Sequence, residues 1–350
     1  MDSARPDPPA GSSPAGPLVL NLSSAGTVPL HLVGGKALNL GRLLAAGLPV
    51  PPGFCLTTAA YELAAPPGLE ALAAELDAIG SGAGTAAVRT AADPGALGTV
   101  AGRARALIAE APIPPEVDAA VRTAYAEMGG TLPVAVRSSA TAEDLPFASF
   151  AGQQDSYLDV IGADAVVGAV RRCWASLWSD RAVAYRSANG ISNRDVGLAV
   201  VVQTMVDAAT AGVLFTANPV TGTRTETVIN ASPGSGEAVV SGAVNPDQFV
   251  LDTASGQVRL RTPGGTGPGR GPALSDPQLQ ELTALGGGVQ RLLGAPQDIE
   301  WAIDATGRIW LTQSRPITTL YPLPEPAPED AGRVPRPPPG CTCAAPCSRG

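Results

Sequence analysis

The chain has 350 residues, enough for two domains of ordinary size, and 45% of them are hydrophobic. Its 31 acidic residues outnumber its 23 basic ones, so the net charge of −8 argues against general nucleic-acid binding, which needs a basic surface. No apolar run is long enough to cross a membrane, and the acidic, proline-containing start lacks the apolar core of a signal peptide. These features predict a folded cytoplasmic protein without nucleic-acid or membrane partners.

In chain order, the composition predicts a disordered leader over residues 1–18 and then a first subdomain over residues 19–195. The clearest helix of this subdomain follows a pair of glycines, carries leucines at helical spacing and ends at Gly47, because prolines follow directly. Two apolar runs, "LPVAVRSS" and "DSYLDV", predict strands. Alanine-rich or amphipathic patterns predict further helices over 67–79, 96–128 and 163–188.

A second subdomain is predicted over residues 196–318, because the pattern changes from helices to strands after Asn189-Gly190. A helix is predicted near residues 276–293, and a hairpin is predicted around Thr306-Gly307. Residues 319–350 are rich in proline and lack periodicity, which predicts a disordered tail. The strands are predicted in "GLAVVVQTMV", "AGVLFTANP", "ETVINAS" and "DQFVLDTASGQVRLR".

Three cysteines, Cys341, Cys343 and Cys347, lie near the end of the predicted tail. Their spacing supplies three thiolates and no histidine, whereas a structural zinc site takes four ligands. A tail without a structural task is therefore the favoured interpretation, and the role of these cysteines stays open.

The segment "VGGKALNLG" places two glycines and Lys36 at the start of a helix. A helix N-terminus offers free N–H groups and the positive end of the helix dipole, and glycines let a phosphate approach the backbone. The spacing of a Walker loop is absent. Taken alone, the segment favours a glycine-rich turn with a surface lysine over a phosphate site.

The stretch "VAVRSSATAEDLPFASFAGQQ" is more specific. Arg137 ends an apolar strand, where a charge is costly unless it has a partner, and strand ends opening on a cleft are usual ligand positions. The small residues and amides that follow suit a loop that closes over phosphates. The alternative is a capped helix start with Ser139 or Thr141 as the N-cap, and both interpretations can hold for different residues.

The predicted C-terminal hairpin allows its register to be worked out. A four-residue loop from Ala305 to Arg308 would pair Asp304 with Ile309 and Glu300 with Gln313. A carboxylate beside an amide oxygen suits Mg²⁺, which prefers oxygen ligands and completes its shell with phosphates and water.

Alternation then divides the hairpin into two faces. Arg315 lies beside Glu300 and Gln313 and suits a phosphate. The alternative is a solvated polar face, although Ala302 and Leu311 on that face indicate partial burial. The apolar face would carry Ile299, Trp301, Ile303, Trp310 and Thr312, and the other face would carry Asp298, Glu300, Gln313 and Arg315.

These motifs together resemble a known family. The stretches "GGKALNLGRLLAAGLPVPPGFCLTTAAY", "VAVRSSATAEDLPFASFAGQQDSYLDV", "VVVQTMV", "GVLFTANPVTG" and "DIEWAID…IWLTQSRPIT" are similar to the ATP-binding domain of the phosphoenolpyruvate synthase and pyruvate, phosphate dikinase family. Rifampicin phosphotransferases are its antibiotic-modifying branch. The resemblance covers residues 20–318 and implies an α+β ATP-grasp fold, in which two subdomains clamp the nucleotide.

The resemblance also implies a ligand set for ATP and Mg²⁺. Arg137 and Arg315 would act catalytically on the phosphates, and Glu300 and Gln313 would hold the metal. The implied ATP contacts are Lys36, Arg137, Gly152, Ser156, Gln203, Met205 and Arg315.

The family's reaction cleaves ATP to AMP and phosphate and passes the β-phosphate to a histidine on a separate swivelling domain. The single histidine here, His31, lies outside the family's histidine motif, so the phosphohistidine domain and the substrate domain would be separate or lost. The family's Trp-Gly-Leu-Gly-Glu is replaced by residues 233–237, "PGSGE". A non-catalytic nucleotide-binding remnant or a truncated fragment is the alternative. Whether pyruvate or an antibiotic accepts the phosphoryl group stays open.

Overall fold

The computed structural model describes residues 16–81, 94–141, 144–145, 148–149, 156–234, 236, 244–265 and 272–320. Most of the predicted leader, most of the predicted tail with its three cysteines, and Gly152 lie outside these residues. Contacts along the chain group Met1–Thr318 into one compact unit and Thr319–Gly350 into a second. Among the described residues, no helix is both long and apolar enough to span a bilayer.

Two sheets dominate the described part of Met1–Thr318. The first has the strand order β1-β2-β7-β3-β6, and the second has the order β11-β10-β9-β8-β12-β13. Their strands are β1 Val19–Asn21, β2 Gly53–Leu56, β3 Val134–Ala140, β6 Ser156–Val160, β7 Leu198–Thr204, β8 Ala208–Phe215, β9 Glu226–Pro233, β10 Asp247–Asp252, β11 Val258–Thr262, β12 Gln297–Asp304 and β13 Ile309–Pro316, and a separate pair is β4 Asp144–Leu145 with β5 Ala148–Ser149.

The described helices are concentrated in the first half of the chain. They are a 3-10 helix Leu22–Thr27, α1 Leu30–Ala45, α2 Thr58–Ala64, α3 Leu69–Gly80, α4 Pro94–Glu110, α5 Pro115–Glu127, α6 Ala163–Ser176, α7 Asp180–Ala188 and α8 Asp276–Leu293. The prediction of a helix over 276–293 is confirmed to the residue. Gly47 follows the end of α1, as predicted, and has a positive φ of 74°.

Two predicted helices are each divided in the structure. The segment 96–128 forms α4 and α5, because Pro112 follows the end of α4 at Glu110, and Pro114 and Pro115 start α5. The segment 163–188 forms α6 and α7, because the side chain of Ser179 accepts a hydrogen bond from the Ala182 N–H and so caps a new helix start. Periodicity alone continues across both breaks and therefore missed them.

The strand β7 explains how the core is organised. Its residues Leu198 to Gln203 are all buried, as expected of a strand covered on both faces. Val200 and Val202 belong to a core cluster with residues of α2 to α7, whereas Val201 belongs to a second cluster with α1, α8 and the second sheet. The helix α1 therefore contributes to the apolar layer that joins the two sheets.

The division predicted at residues 195 and 196 does not coincide with the division between the sheets. The strand β7 follows that point, yet it pairs with β2 and β3 in the first sheet. A division by sheets falls after Thr204, because the pattern change after Asn189-Gly190 marks the end of α7 and not the end of the first sheet.

The hairpin of β12 and β13 confirms one predicted pair and contradicts another. Glu300 pairs with Gln313, as predicted, but Ile309 pairs with Ile303 and not with Asp304. The ladder shifts between Glu300 and Trp301, and Thr312 is the unpaired extra residue of a β-bulge. The turn is one residue longer than expected, and the bulge compensates for that residue.

The bulge also changes which side chains share a face. Leu311 lies in the core with Trp301, although alternation had placed it beside Glu300. Trp310 lies outside that core cluster. It stacks on Arg308 and donates its indole N–H to the carboxylate of Asp304 at 2.9 Å. The predicted faces are thus wrong for Trp310, Leu311 and Thr312, since period-two alternation assumes an uninterrupted ladder.

Candidate functional site

A cleft of about 320 Å³ lies between the two sheets. Its walls come from β3, β6 and β7 of the first sheet and from β8, β12 and β13 of the second. Such a volume is within the usual range of small-molecule sites. The cleft brings together six of the predicted site residues, namely Arg137, Ser156, Gln203, Met205, Glu300 and Gln313.

The cleft is long enough to hold an elongated ligand. Arg137 pairs with Val201 of β7, and Met205 lies just past the end of the same strand. At about 3.3 Å per residue, the backbone positions of Val201 and Met205 are roughly 13 Å apart. Leu158, Met205 and Val206 contribute apolar surface to the cleft, so the site offers an apolar part and a separate charged part.

The charged part is formed mainly by the hairpin. Glu300 and Gln313 face each other across β12 and β13, and both line the cleft. Their oxygens are of the hard type that Mg²⁺ prefers, so the donor set fits one ion whose shell phosphates and water complete. Among the described residues, no group of three or more His, Cys, Asp or Glu side chains could hold a metal.

Arg137 reaches from the first sheet to this hairpin. Its NH1 donates to the Thr312 carbonyl at 3.1 Å and lies 3.5 Å from Glu300 Oε2. The carbonyl belongs to the bulged residue, which takes no place in the ladder of β12 and β13. Arg137 Nε is buried and has no hydrogen-bond partner within the described part of the chain. Ser156 pairs with Arg137 in the neighbouring strand β6.

Arg315 is held differently from the prediction. Its Nε and NH2 donate to Asp298 Oδ2 at 2.9 and 2.7 Å, and Arg315 does not line the cleft in this structure. Burial raises the pKa of the Asp298 carboxyl, and Arg315 opposes that increase. Alternation predicted Asp298 on the polar face but did not predict that it binds Arg315. Its position two residues before Glu300, on the same face as Arg315, could have indicated this contact.

Lys36 also lies outside the residues that line the cleft. Its helix is nevertheless fixed against both walls: Ser139 Oγ donates to the Val33 carbonyl at 2.8 Å and accepts the Ala37 N–H at 3.2 Å. Asn39 donates to the Ser314 carbonyl at 3.0 Å, and Lys36, three residues earlier, shares that side of the helix.

The close contact with Ser139 requires a glycine at position 34. Gly34 has a φ of 71°, inside the left-handed region, and it interrupts the helical backbone of α1. A Cβ on Gly34 would lie 2.2 Å from the Ser139 carbonyl oxygen. The first glycine of the predicted phosphate motif is therefore needed for packing as well.

The apolar part of the cleft is fixed by the backbone. Gln203 is buried, and its Nε2 donates to the Pro51 carbonyl at 3.1 Å. The Met205 N–H donates to the Pro133 carbonyl at 2.9 Å. Both residues predicted to contact the nucleotide thus line the cleft at one end of β7. Gly152, which was predicted to cover the phosphates, lies outside the described residues.

Comparison with known proteins decides the family. Residues 30–331 match the family model of the pyruvate phosphate dikinase AMP/ATP-binding domain. The chain belongs to this family. The resemblance inferred from the sequence motifs is thereby confirmed.

The curated relatives of this AMP/ATP-binding domain carry different names. A rifampicin phosphotransferase from Streptomyces sp is 44% identical over 89% of this chain and 37% of its own length. A probable phosphoenolpyruvate synthase from Pyrococcus horikoshii is 41% identical over 83% of this chain and 42% of its own. The prodigiosin synthesizing transferase PigC from Serratia marcescens is 42% identical over 86% of this chain and 33% of its own length. The chain spans about two fifths or less of the length of these relatives.

Among solved structures, D-alanyl-alanine synthetase A from Vibrio cholerae matches at a TM-score of 0.25 and 13% identity, over 58% of this chain and 47% of that one. A likeness this low supports no conclusion about the fold. The structure itself shows a mixed α and β architecture with two sheets.

Proposed function

We propose that this chain binds Mg·ATP in the cleft between its two sheets and supplies the nucleotide-binding part of a dikinase-type phosphotransferase. The observation that carries the proposal is the meeting of Arg137, Glu300 and Gln313 from two different sheets in one cleft. The fold would be an ATP-grasp, whose two subdomains clamp the nucleotide. The family match supports ATP as the ligand.

Each part of the cleft would have a separate task. Glu300 and Gln313 would hold Mg²⁺, which supplies neutralisation of the phosphate charge that opposes transfer. Arg137 would orient the phosphates from the opposite wall. Gln203 and Met205 would hold the base at the apolar part of the cleft, so that the nucleotide lies along it.

Four further predicted contacts remain proposals: Lys36, Arg315, Ser156 and Gly152. Lys36 and Arg315 do not line the cleft, so their proposed phosphate contacts require side-chain or subdomain movement. Ser156 lines the cleft beside Arg137 and would contact the phosphates. Gly152, whose phosphate contact is also proposed, lies outside the described residues.

The proposed reaction passes the β-phosphate of ATP to a histidine on another domain and releases AMP and phosphate. The single histidine of this chain, His31, is exposed and does not line the cleft. The relatives named as phosphotransferase and synthase are longer than this chain, which supports a partner domain for the histidine and another for the acceptor. The cytoplasmic location also remains a prediction.

The acceptor stays open between pyruvate and an antibiotic. The relatives named for rifampicin, phosphoenolpyruvate and prodigiosin differ by only three percentage points of identity, from 44% to 41%. A difference in sequence identity this small, within the nucleotide-binding part, favours neither acceptor.

The experiment is calorimetric titration of the purified chain with Mg·ATP, followed by a search for products. The chain is expected to bind Mg·ATP and to form neither phosphoenolpyruvate nor phosphorylated rifampicin unaided. A lack of Mg·ATP binding would refute the nucleotide assignment. Steady formation of AMP with a phosphorylated acceptor would refute the assignment of the histidine to another domain.

A further inference from the structure

Arg137 and Glu300 form an ion pair that bridges the two sheets. Arg137 NH1 and Glu300 Oε2 are 3.5 Å apart, and their side chains are only 14% and 22% exposed. A pair so little exposed is screened less than a surface pair. Both residues belong to the proposed Mg·ATP site, in which Arg137 would bind phosphate and Glu300 would bind the metal. In this structure, each of these two residues is therefore bound to the other.

The guanidinium of Arg137 is also incompletely satisfied. A guanidinium carries five donors, and a buried donor without an acceptor costs free energy. Arg137 Nε is such a donor within the described residues, while NH1 is shared between Thr312 O and Glu300. Phosphate oxygens would supply the missing acceptors in a geometry that suits arginine. The present arrangement is thus one that a phosphate can improve.

We propose that Mg·ATP binds by exchanging the partners of this pair, and that the pair makes the site selective for metal-loaded nucleotide. Arg137 turns from the Glu300 carboxylate to the phosphates, and the released carboxylate takes the metal. This inference rests on the proposed function and deepens it, because it assigns to Arg137 and Glu300 the discrimination between Mg·ATP and metal-free ATP.

The selectivity follows from charge. Metal-free ATP can take Arg137 only by leaving the Glu300 carboxylate unpaired beside the phosphates. Mg²⁺ alone can take Glu300 only by leaving the Arg137 cation unpaired beside the metal. Truncating half of a little-exposed ion pair is costly for this reason. Mg·ATP supplies both replacement partners in one step. The pair of Arg315 and Asp298 also makes two hydrogen bonds, but it lies within one hairpin and does not bridge the two sheets.

The experiment measures ATP binding by calorimetry with excess Mg²⁺ and again with EDTA. Glu300→Gln is expected to weaken Mg·ATP binding about tenfold or more, since a charge-assisted metal contact is lost. The same variant is expected to tighten metal-free ATP binding about two- to fivefold, because Arg137 is no longer engaged. Glu281→Gln on the exposed surface of α8 removes the same charge far from the cleft and should change neither value.

A second background separates exchange from simple repulsion. In Arg137→Met, which keeps an apolar stem but no charge, Glu300→Gln should no longer tighten metal-free ATP binding. Equal tightening in both backgrounds would mean that the carboxylate only repels phosphate, and would overturn the exchange. No tightening in the wild-type background would overturn it too. Circular dichroism checks folding, and Arg137→Gln replaces Arg137→Met if that variant does not fold.

The two proposals fail in different ways. If the wild-type chain does not bind Mg·ATP, the proposed function is wrong whatever the variants do. If the wild-type chain binds Mg·ATP and the effects of Arg137→Met and Glu300→Gln on metal-free ATP are additive, the nucleotide site stands and the exchange is wrong.

Discussion

The two walls of the cleft are built in different ways. On the second sheet, Trp301 and Glu300 are neighbours in β12, yet Trp301 packs in the core and Glu300 faces the cleft. Of the two neighbours only Trp301 belongs to the core cluster, although both line the cleft. On the first-sheet side, Gly34 lies directly against the Ser139 backbone. One wall is thus specified by side-chain alternation and the other by backbone contact, so substitutions should affect them differently.

The largest effect is expected for Trp301→Ala on the hairpin wall. Trp301 is 1% exposed and belongs to the core cluster, so its loss should cost about 3–5 kcal/mol of unfolding free energy. Urea denaturation measures this cost. Trp301 also contributes to the cleft lining. Mg·ATP affinity of the folded variant should still fall less than in Glu300→Ala, and the opposite order would contradict the division of tasks between these neighbours.

A somewhat smaller loss is expected for Gly34→Ala, where α1 packs against β3 of the opposite wall. The positive φ and the crowded contact with Ser139 together predict a cost of about 2–4 kcal/mol. Gly47→Ala is the matched control, because Gly47 has a similar φ of 74° but nothing within 4 Å of an added Cβ. Urea denaturation of both variants isolates the contact. Equal costs would show that the approach of Gly34 to Ser139 does not constrain this wall.

Glu300→Ala tests the cleft face of β12 directly. Losing a charge-assisted contact should reduce Mg·ATP affinity by about 1.5–3 kcal/mol, roughly tenfold to a hundredfold. The thermal midpoint should fall less than in Trp301→Ala, because Glu300 lies outside the core clusters and the main stability cost is the loss of a partner for Arg137. Calorimetry and thermal melts measure the two effects, with Glu281→Ala as the control. Normal Mg·ATP binding by Glu300→Ala would make this hairpin a structural edge only.

The smallest effect is expected at the hairpin turn. Hydrogen bonds from Thr306 and then Trp310 lower the pKa of Asp304 to about 2. Because this value is below the ordinary Asp pKa of about 3.9, the stabilising contribution is present above that value and is lost as the pH falls through about 2.

Asp304→Asn should therefore lower the urea midpoint at neutral pH, and its difference from the wild type should shrink as the pH approaches 2. Glu281→Gln provides the control for an exposed charge. A difference that stays constant with pH would show that the carboxylate charge of Asp304 does not stabilise the turn.

Helical periodicity predicted α8, because that pattern is local. The pairing of Glu300 with Gln313 was predicted from an assumed four-residue loop, and it holds because the bulge offsets the longer turn. The same local patterns could not show that Ser139 approaches Gly34, since these residues are brought together only by tertiary packing. Alternation also could not show the bulge, which reverses the faces of residues 310–312. The bulge could not be predicted from the pairing of Glu300 with Gln313, because the longer turn and the bulge shift the register by equal and opposite amounts.

The bulge at Thr312 has a consequence for how the length of this hairpin can vary. Thr312 takes no place in the ladder, so its loss would not remove a strand pair. Here its carbonyl is the acceptor that anchors Arg137 from the other sheet. Deleting Thr312 would give a more regular hairpin in which Glu300 could still pair with Gln313. The carbonyl that accepts the hydrogen bond of Arg137 would be lost. Such a deletion would keep the fold and damage the proposed binding site.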